Sequence, residues 1–226
     1  MMQLTLIIVF SALFLLTHLV MSHGRIREGL VTNLGTWPFR ALYSVISLVT
    51  LGAAAVIWWD NRHLGPLLWE LPPWAELLLA LPLTLVGLVL LVLAFATPSP
   101  TGMIPASDEA RGVLRITRHP LNTGIALWAL AHILVNGYLG DIAFFGSLFL
   151  LGTLGAWHQD VRKRRTRGES FLQLVRETSI LPFVAILTRR NRLVASELPV
   201  PMILLAVAGW VALVLFHGRL FGSQVV

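Results

Sequence analysis

The sequence predicts an all-α membrane protein: a polytopic bundle of about six transmembrane helices with a cytoplasmic amphipathic and re-entrant segment. Three observations predict it. Apolar residues make up 56% of the 226 and charged residues only 12%, with a mean hydropathy of +0.78, outside the soluble range. Six apolar runs come near the ~20 residues that a bilayer core requires. Basic residues collect in alternate connecting loops. Hydrocarbon offers no water to backbone polar groups, and no alternating pattern suggests a barrel, so helices are the expected form.

The expected spans are Leu4–Met21, Phe39–Trp59, Trp74–Ala96, Leu121–Val135, Ile142–Trp157 and Pro199–Phe216, within one domain covering 1–226. The first is read as a retained span and not a signal peptide. Its apolar run begins without a basic region, and Ser22-His23-Gly24-Arg25 is no small-residue cleavage site. The fourth and fifth spans are short for a bilayer. Between the fifth and sixth, Phe171, Leu172, Leu174 and Val175 recur at helical spacing among Glu169, Gln173, Arg176 and Glu177. That pattern predicts a basic amphipathic helix on the membrane surface. The apolar stretch Ser179–Leu187 is too short to span and contains Pro182, so a re-entrant or interfacial segment is expected.

Charge sets the expected sidedness. The first loop carries Arg25, Arg27 and Arg40, the third Arg111, Arg115 and Arg118, and the fifth a long arginine run from Arg162 to Arg192. The second has Arg62 against Asp60 and Glu70, and the fourth only Asp141. Odd loops are therefore expected in the cytoplasm and both termini in the periplasm of a bacterial inner membrane. The +6 charge is thus a topology signal, and no nucleic-acid partner is expected. Membrane lipid is. The absence of Cys excludes disulfides, thiolate zinc sites, iron–sulfur clusters and Cys-ligated haem. No Gly-rich phosphate loop, HExxH or serine elbow is present.

Imidazole is the remaining chemistry, because an ionisable ring inside a span is a functional hypothesis by default. His18 shares a helical stripe with Ser11, Ser22 and Arg25 that should face the bundle. It either ligates a cofactor or bonds a neighbouring helix. His132 lies on a face with Trp128 and Ala129, where the small Ala129 leaves room for a flat ligand; the alternative is a helix–helix hydrogen bond. His119 precedes Pro120, beside Arg118; both the helix start and the arginine disfavour its protonation, and it either caps the fourth span or ligates. His158 ends the fifth span, either at a pocket mouth or as a boundary residue, while His23, His63 and His217 are expected to be interfacial. Two imidazoles from facing helices make an axial pair for haem iron. His18 and His132 differ in depth by about 12 Å on helical rise, so His18 with His119 is the better-matched rival pair.

At these residues the chain resembles a known family. Ile116-Thr117-Arg118-His119-Pro120 followed by Leu127-Trp128-Ala129-Leu130-Ala131-His132 is similar to the NnrU family of bacterial membrane proteins and to its relative, 15-cis-zeta-carotene isomerase. Arg40–Ser44, Trp157–Asp160 and Thr178–Ile186 extend the resemblance over nearly the whole chain. The NnrU resemblance implies a role in nitrite and nitric oxide metabolism during denitrification, with respiratory or nitric oxide reductase components as partners. The isomerase resemblance implies haem b acting on a carotenoid double bond, with His18 and His132 as iron ligands and a hydrophobic small-molecule substrate. Where the isomerase carries a Cys and a further His, this chain has Ala129 and Asn61.

Four functions are therefore weighed. The first expectation is a haem-binding protein supporting nitrogen-oxide metabolism, with His119, His158 and Arg118 in rival or supporting positions. The second is a haem-dependent isomerase of a polyene. The Arg118-His119-Pro120 piece also resembles membrane methyltransferases that use S-adenosylmethionine, for which Glu109, Asp160 and Glu169 are loose ribose-contact candidates. The fourth is an assembly subunit whose histidines bridge helices.

Overall fold

The computed structural model describes residues 1–100 and 108–222. Five helices are long and apolar enough to cross a membrane: α1 (Met2–Ser22), α3 (Thr36–Asp60), α4 (Pro73–Ala96), α6 (Leu139–Arg167) and α9 (Val200–Phe221). The fourth expected span is α5 (Pro120–Val135), whose 16 residues rise only about 24 Å, less than a hydrocarbon core of about 30 Å. The six expected spans are thus five full-length helices and one short one, the fourth. The described residues form no sheet, only one isolated bridge between Leu67 and Tyr138.

Three shorter helices complete the order. The first basic loop is itself helical, α2 (Gly24–Leu34), and Gly35 at φ +86° turns the chain into α3. The amphipathic helix expected in the fifth loop is α7 (Glu169–Glu177), with Phe171 and Leu174 fully buried. Gly168 at φ +69° separates it from α6, a backbone conformation that side chains resist. The last short helix is α8 (Val184–Leu187). α6 runs ten residues beyond the expected Trp157, carrying His158 to Arg167 out of the apolar zone.

In space the long helices follow an arc, α9–α4–α5–α6–α1–α3, each packed on the next. α5 is the central member because its small residues let both neighbours approach. A methyl group on Gly124 would stand 2.8 Å from the Gly87 carbonyl of α4, and one on Gly152 of α6 would stand 2.6 Å from the Asn122 carbonyl of α5. One core gathers Ile7, Ala54, Ala129, Phe144 and Phe145. α3 and α9 turn Leu48, Val49, Leu204 and Leu215 outward as lipid-facing surface.

Odd and even loops gather at opposite ends. At the basic end Ser22 meets His158 and Glu197 meets Arg115. At the other end the 64–68 loop pairs with residues 137–140, and Arg62 donates to the Phe221 carbonyl. Of the two forms expected for the 179–187 stretch, re-entrant or interfacial, its contacts agree with the interfacial one. Residues 179–183 bond the 116–118 backbone at the basic end, through Arg118 N–H to Ser179 O (2.8 Å) and Phe183 N–H to Ile116 O (2.9 Å).

Candidate functional site

Pro120 opens α5 and has no N–H to lose there. It also keeps the preceding residue out of the helical region, so His119 adopts φ −123°, ψ 64°. The side chains of Arg118 and His119 thereby reach Asp160, on the extension of α6. Arg118 donates Nε–H to Asp160 Oδ1 (3.0 Å) and Nη2–H to Oδ2 (2.5 Å), and Nη1–H to Thr178 Oγ1 (2.9 Å). His119 Nε2–H donates to Asp160 Oδ1 at 2.7 Å. Thr117 adds a bond to the Ile180 carbonyl (2.7 Å). Arg118, His119, Asp160 and Thr178 are all buried.

The charges within this cluster balance as one guanidinium and one carboxylate. Burial pushes the His119 imidazole below its ordinary range, against the upward pull of Asp160. The ring is thus neutral, with Nε2 protonated. Its Nδ1 lone pair is enclosed and meets no partner among the described residues. A carboxylate-oriented neutral imidazole has the lone pair that a base or ligand requires. Arg118 and Asp160 hold its orientation and lock together the start of α5, the end of α6 and the 178–183 segment. His119 therefore does not cap α5 through its side chain.

The other histidines lie elsewhere. His18 places Nδ1 3.3 Å from the Phe14 carbonyl and packs its ring on Phe14 and Tyr43, with Ser47 Oγ 3.4 Å away. His132 places Nδ1 2.8 Å from the Trp128 carbonyl and packs on Trp128 and Phe145. In each, an i−4 carbonyl can accept from Nδ1–H, which leaves Nε2 as the lone-pair nitrogen; in His18 that nitrogen lies 3.4 Å from Ser47 Oγ. Ser22, one turn past His18, touches His158, and His158 is thirteen residues along α6 from Phe145. Helical rise then separates the two rings by about 14 Å in depth.

One iron held by both would need helix tilt to close that offset. The room expected beside Ala129 is filled: Ala129 is 0% exposed and lies in the core with Ile7 and Phe145. His18 and His119 are not brought together either, since His119 is turned to Asp160. His158 sits at the basic end, 3.3 Å from Ser22 and with its ring 5.6 Å from that of His23. Among the described residues no group of three or more His, Cys, Asp or Glu could hold a metal ion.

Two features were not foreseen. Asp160 had stood as a loose ribose contact, yet Arg118 and His119 occupy it. Its isolation at the head of a basic run was the available signal. Asp141 is 0% exposed and accepts from Trp58 Nε1 (2.6 Å) and His63 Nδ1 (3.0 Å), with His63 at φ +58°. A single acid in a loop of aromatic and apolar residues was its only sign.

No solved structure matches this chain. It is similar to the chloroplastic 15-cis-zeta-carotene isomerase of Zea mays, 30% identical over 74% of this chain, and to that of Arabidopsis thaliana, 31% identical over 70%. The aligned parts cover 47% and 44% of those proteins, so the chain spans less than half the length of either relative. The profile described as NnrU protein matches residues 6–225. The chain belongs to the NnrU family.

Proposed function

We propose that this protein is a membrane-embedded isomerase of a hydrophobic polyene, of the carotene class named by its relatives. The observation that carries this reading is the similarity to two 15-cis-zeta-carotene isomerases over 70–74% of the chain. The geometry supports it in two ways. The Arg118–Asp160–His119 lock stabilises the short central helix α5, and α5 carries His132 among Trp128 and Phe145. Such an aromatic, apolar setting suits a conjugated hydrocarbon and excludes water. Isomerisation changes no net oxidation state, so the reaction needs no consumed co-reactant.

Haem b is suggested by the intramembrane histidines and by the resemblance, and no step is assigned to it. The nitrogen-oxide reading has no observation of its own in the site. The methyltransferase reading loses its Asp160 contact to Arg118 and His119. By the distribution of charge we place the arginine-rich end on the cytoplasmic side of a bacterial inner membrane.

Expression in a host that accumulates 15-cis-zeta-carotene tests the proposal. The 15-cis isomer should decline in pigment extracts with the wild-type chain and persist with H132A at equal membrane abundance. An unchanged pigment profile with abundant wild-type protein would retire the reading.

A further inference from the structure

At the basic end, four elements converge on a cluster made almost entirely of donors. Arg27 comes from α2, Arg162 and His158 from α6, Tyr43 from α3, and Ser22 and His23 from the end of α1 and the residue after it. Arg162 lies one turn past His158 on α6, and the Phe39 ring under Arg27 packs against Tyr43 with centroids 6.1 Å apart. Ser22 Oγ lies 3.3 Å from His158 Nδ1, and the His23 and His158 rings are 5.6 Å apart. The Arg27 guanidinium lies over the Phe39 ring at 5.4 Å, which directs it toward the bundle. Arg27, Tyr43, His158 and Arg162 are all half-buried.

No acid balances this charge. Among the described residues neither Arg27, Arg162 nor His158 forms an ion pair, although Arg115, Arg118, Arg167 and Arg176 each do. Glu28, beside Arg27, directs its carboxylate back toward Gly24, and Asp160, two residues from both His158 and Arg162, is taken up by Arg118 and His119. The stretches 101–107 and 223–226 contain no Asp or Glu. Two half-buried guanidiniums at one end of the bundle without an ion pair are costly in isolation. A phosphate answers that arrangement, because guanidinium forks match its oxygens and hydroxyl and imidazole donors complete its shell. The cluster lies between helices at the end of the apolar zone, the depth of a lipid headgroup.

We propose that Arg27, Arg162, His158, His23, Ser22 and Tyr43 form a binding site for the phosphate headgroup of an anionic phospholipid. The site stands apart from the polyene reading and holds whether or not that reading does. A bound headgroup would join α2 to α6, which otherwise share no ion pair among the described residues.

Native mass spectrometry of the full chain in neutral detergent, titrated with phosphatidylglycerol, tests it. Wild-type protein should retain phosphatidylglycerol in preference to phosphatidylcholine. R27Q/R162Q should weaken that retention about tenfold or more. R164Q/R165Q, an equal charge loss on exposed residues of the same helix, should leave it nearly unchanged. H158Q, which keeps both arginines, should give a smaller loss and serves if the double variant does not fold. Equal loss in both double variants would overturn the site in favour of general attraction. Equal retention of phosphatidylcholine would also overturn it, as would full displacement by inorganic phosphate at millimolar concentration, which would mark a soluble-anion site.

Discussion

His119 and Asp160 meet at 2.7 Å, forty-one residues apart in sequence, between the start of α5 and the far end of α6. That contact sets the tautomer of a ring that is itself enclosed: Nε2–H donates a hydrogen bond to the carboxylate and Nδ1 keeps its lone pair. Arg118 takes the remaining capacity of the same carboxylate. Three side chains thereby fix where α5 enters the bundle.

Removing the carboxylate charge should break this lock. Asp160→Asn leaves the Arg118 guanidinium buried without its counter-charge, a loss of about 3–5 kcal/mol. Thermal unfolding in detergent should show a large fall in midpoint for D160N and a smaller one for Thr178→Val. A D160N midpoint equal to wild type would show that the pair carries no net stability.

The neutral state of His119 gives stability a pH dependence of definite sign. The unfolded imidazole takes up a proton near its ordinary value of about 6.5. The folded ring, held below that by burial, does so only at lower pH. Below about 6.5 the unfolded state therefore binds more protons, and stability falls as pH drops toward the folded value. Unfolding midpoints between pH 8 and pH 5 should decline for wild type and decline less for His119→Gln. Parallel slopes would mean that another group sets the dependence.

Helix approach through small residues makes α5 intolerant of added volume. Gly124→Ala would press a methyl group to 2.8 Å from a backbone carbonyl that cannot swing aside. The expected loss is about 1–3 kcal/mol. Gly146→Ala on α6 meets nothing within 4 Å and should be neutral or slightly stabilising. Similar unfolding midpoints for the two variants would contradict this packing.

The separation of His18 from His132 makes a spectroscopic prediction. With haem supplied during expression, the purified protein should show no Soret band that disappears in both H18A and H132A. A band abolished by each single substitution would show that the two rings reach one iron in the membrane, and that α1 and α5 stand in another register there.

The spans, their alternation and the amphipathic α7 were legible in the sequence because transfer of a side chain into lipid is a local and nearly additive quantity. Each apolar run, and each arginine outside one, can be weighed where it stands. The gathering of odd loops at one end follows from that alone. What only the tertiary structure decided are the partnerships. Asp160 read as a loose acid until α6 brought it under Arg118, forty-two residues away. Asp141 read as a loop residue until the turn after α3 wrapped His63 onto it. Ala129 read as an open slot until Ile7 and Phe145 filled it. The depths of His18 and His132 follow from helical rise, but whether tilt closes the gap depends on how α1, α5 and α6 cross. Crossing is set by glycine contacts between helices remote in sequence, and hydropathy along one helix carries no record of them.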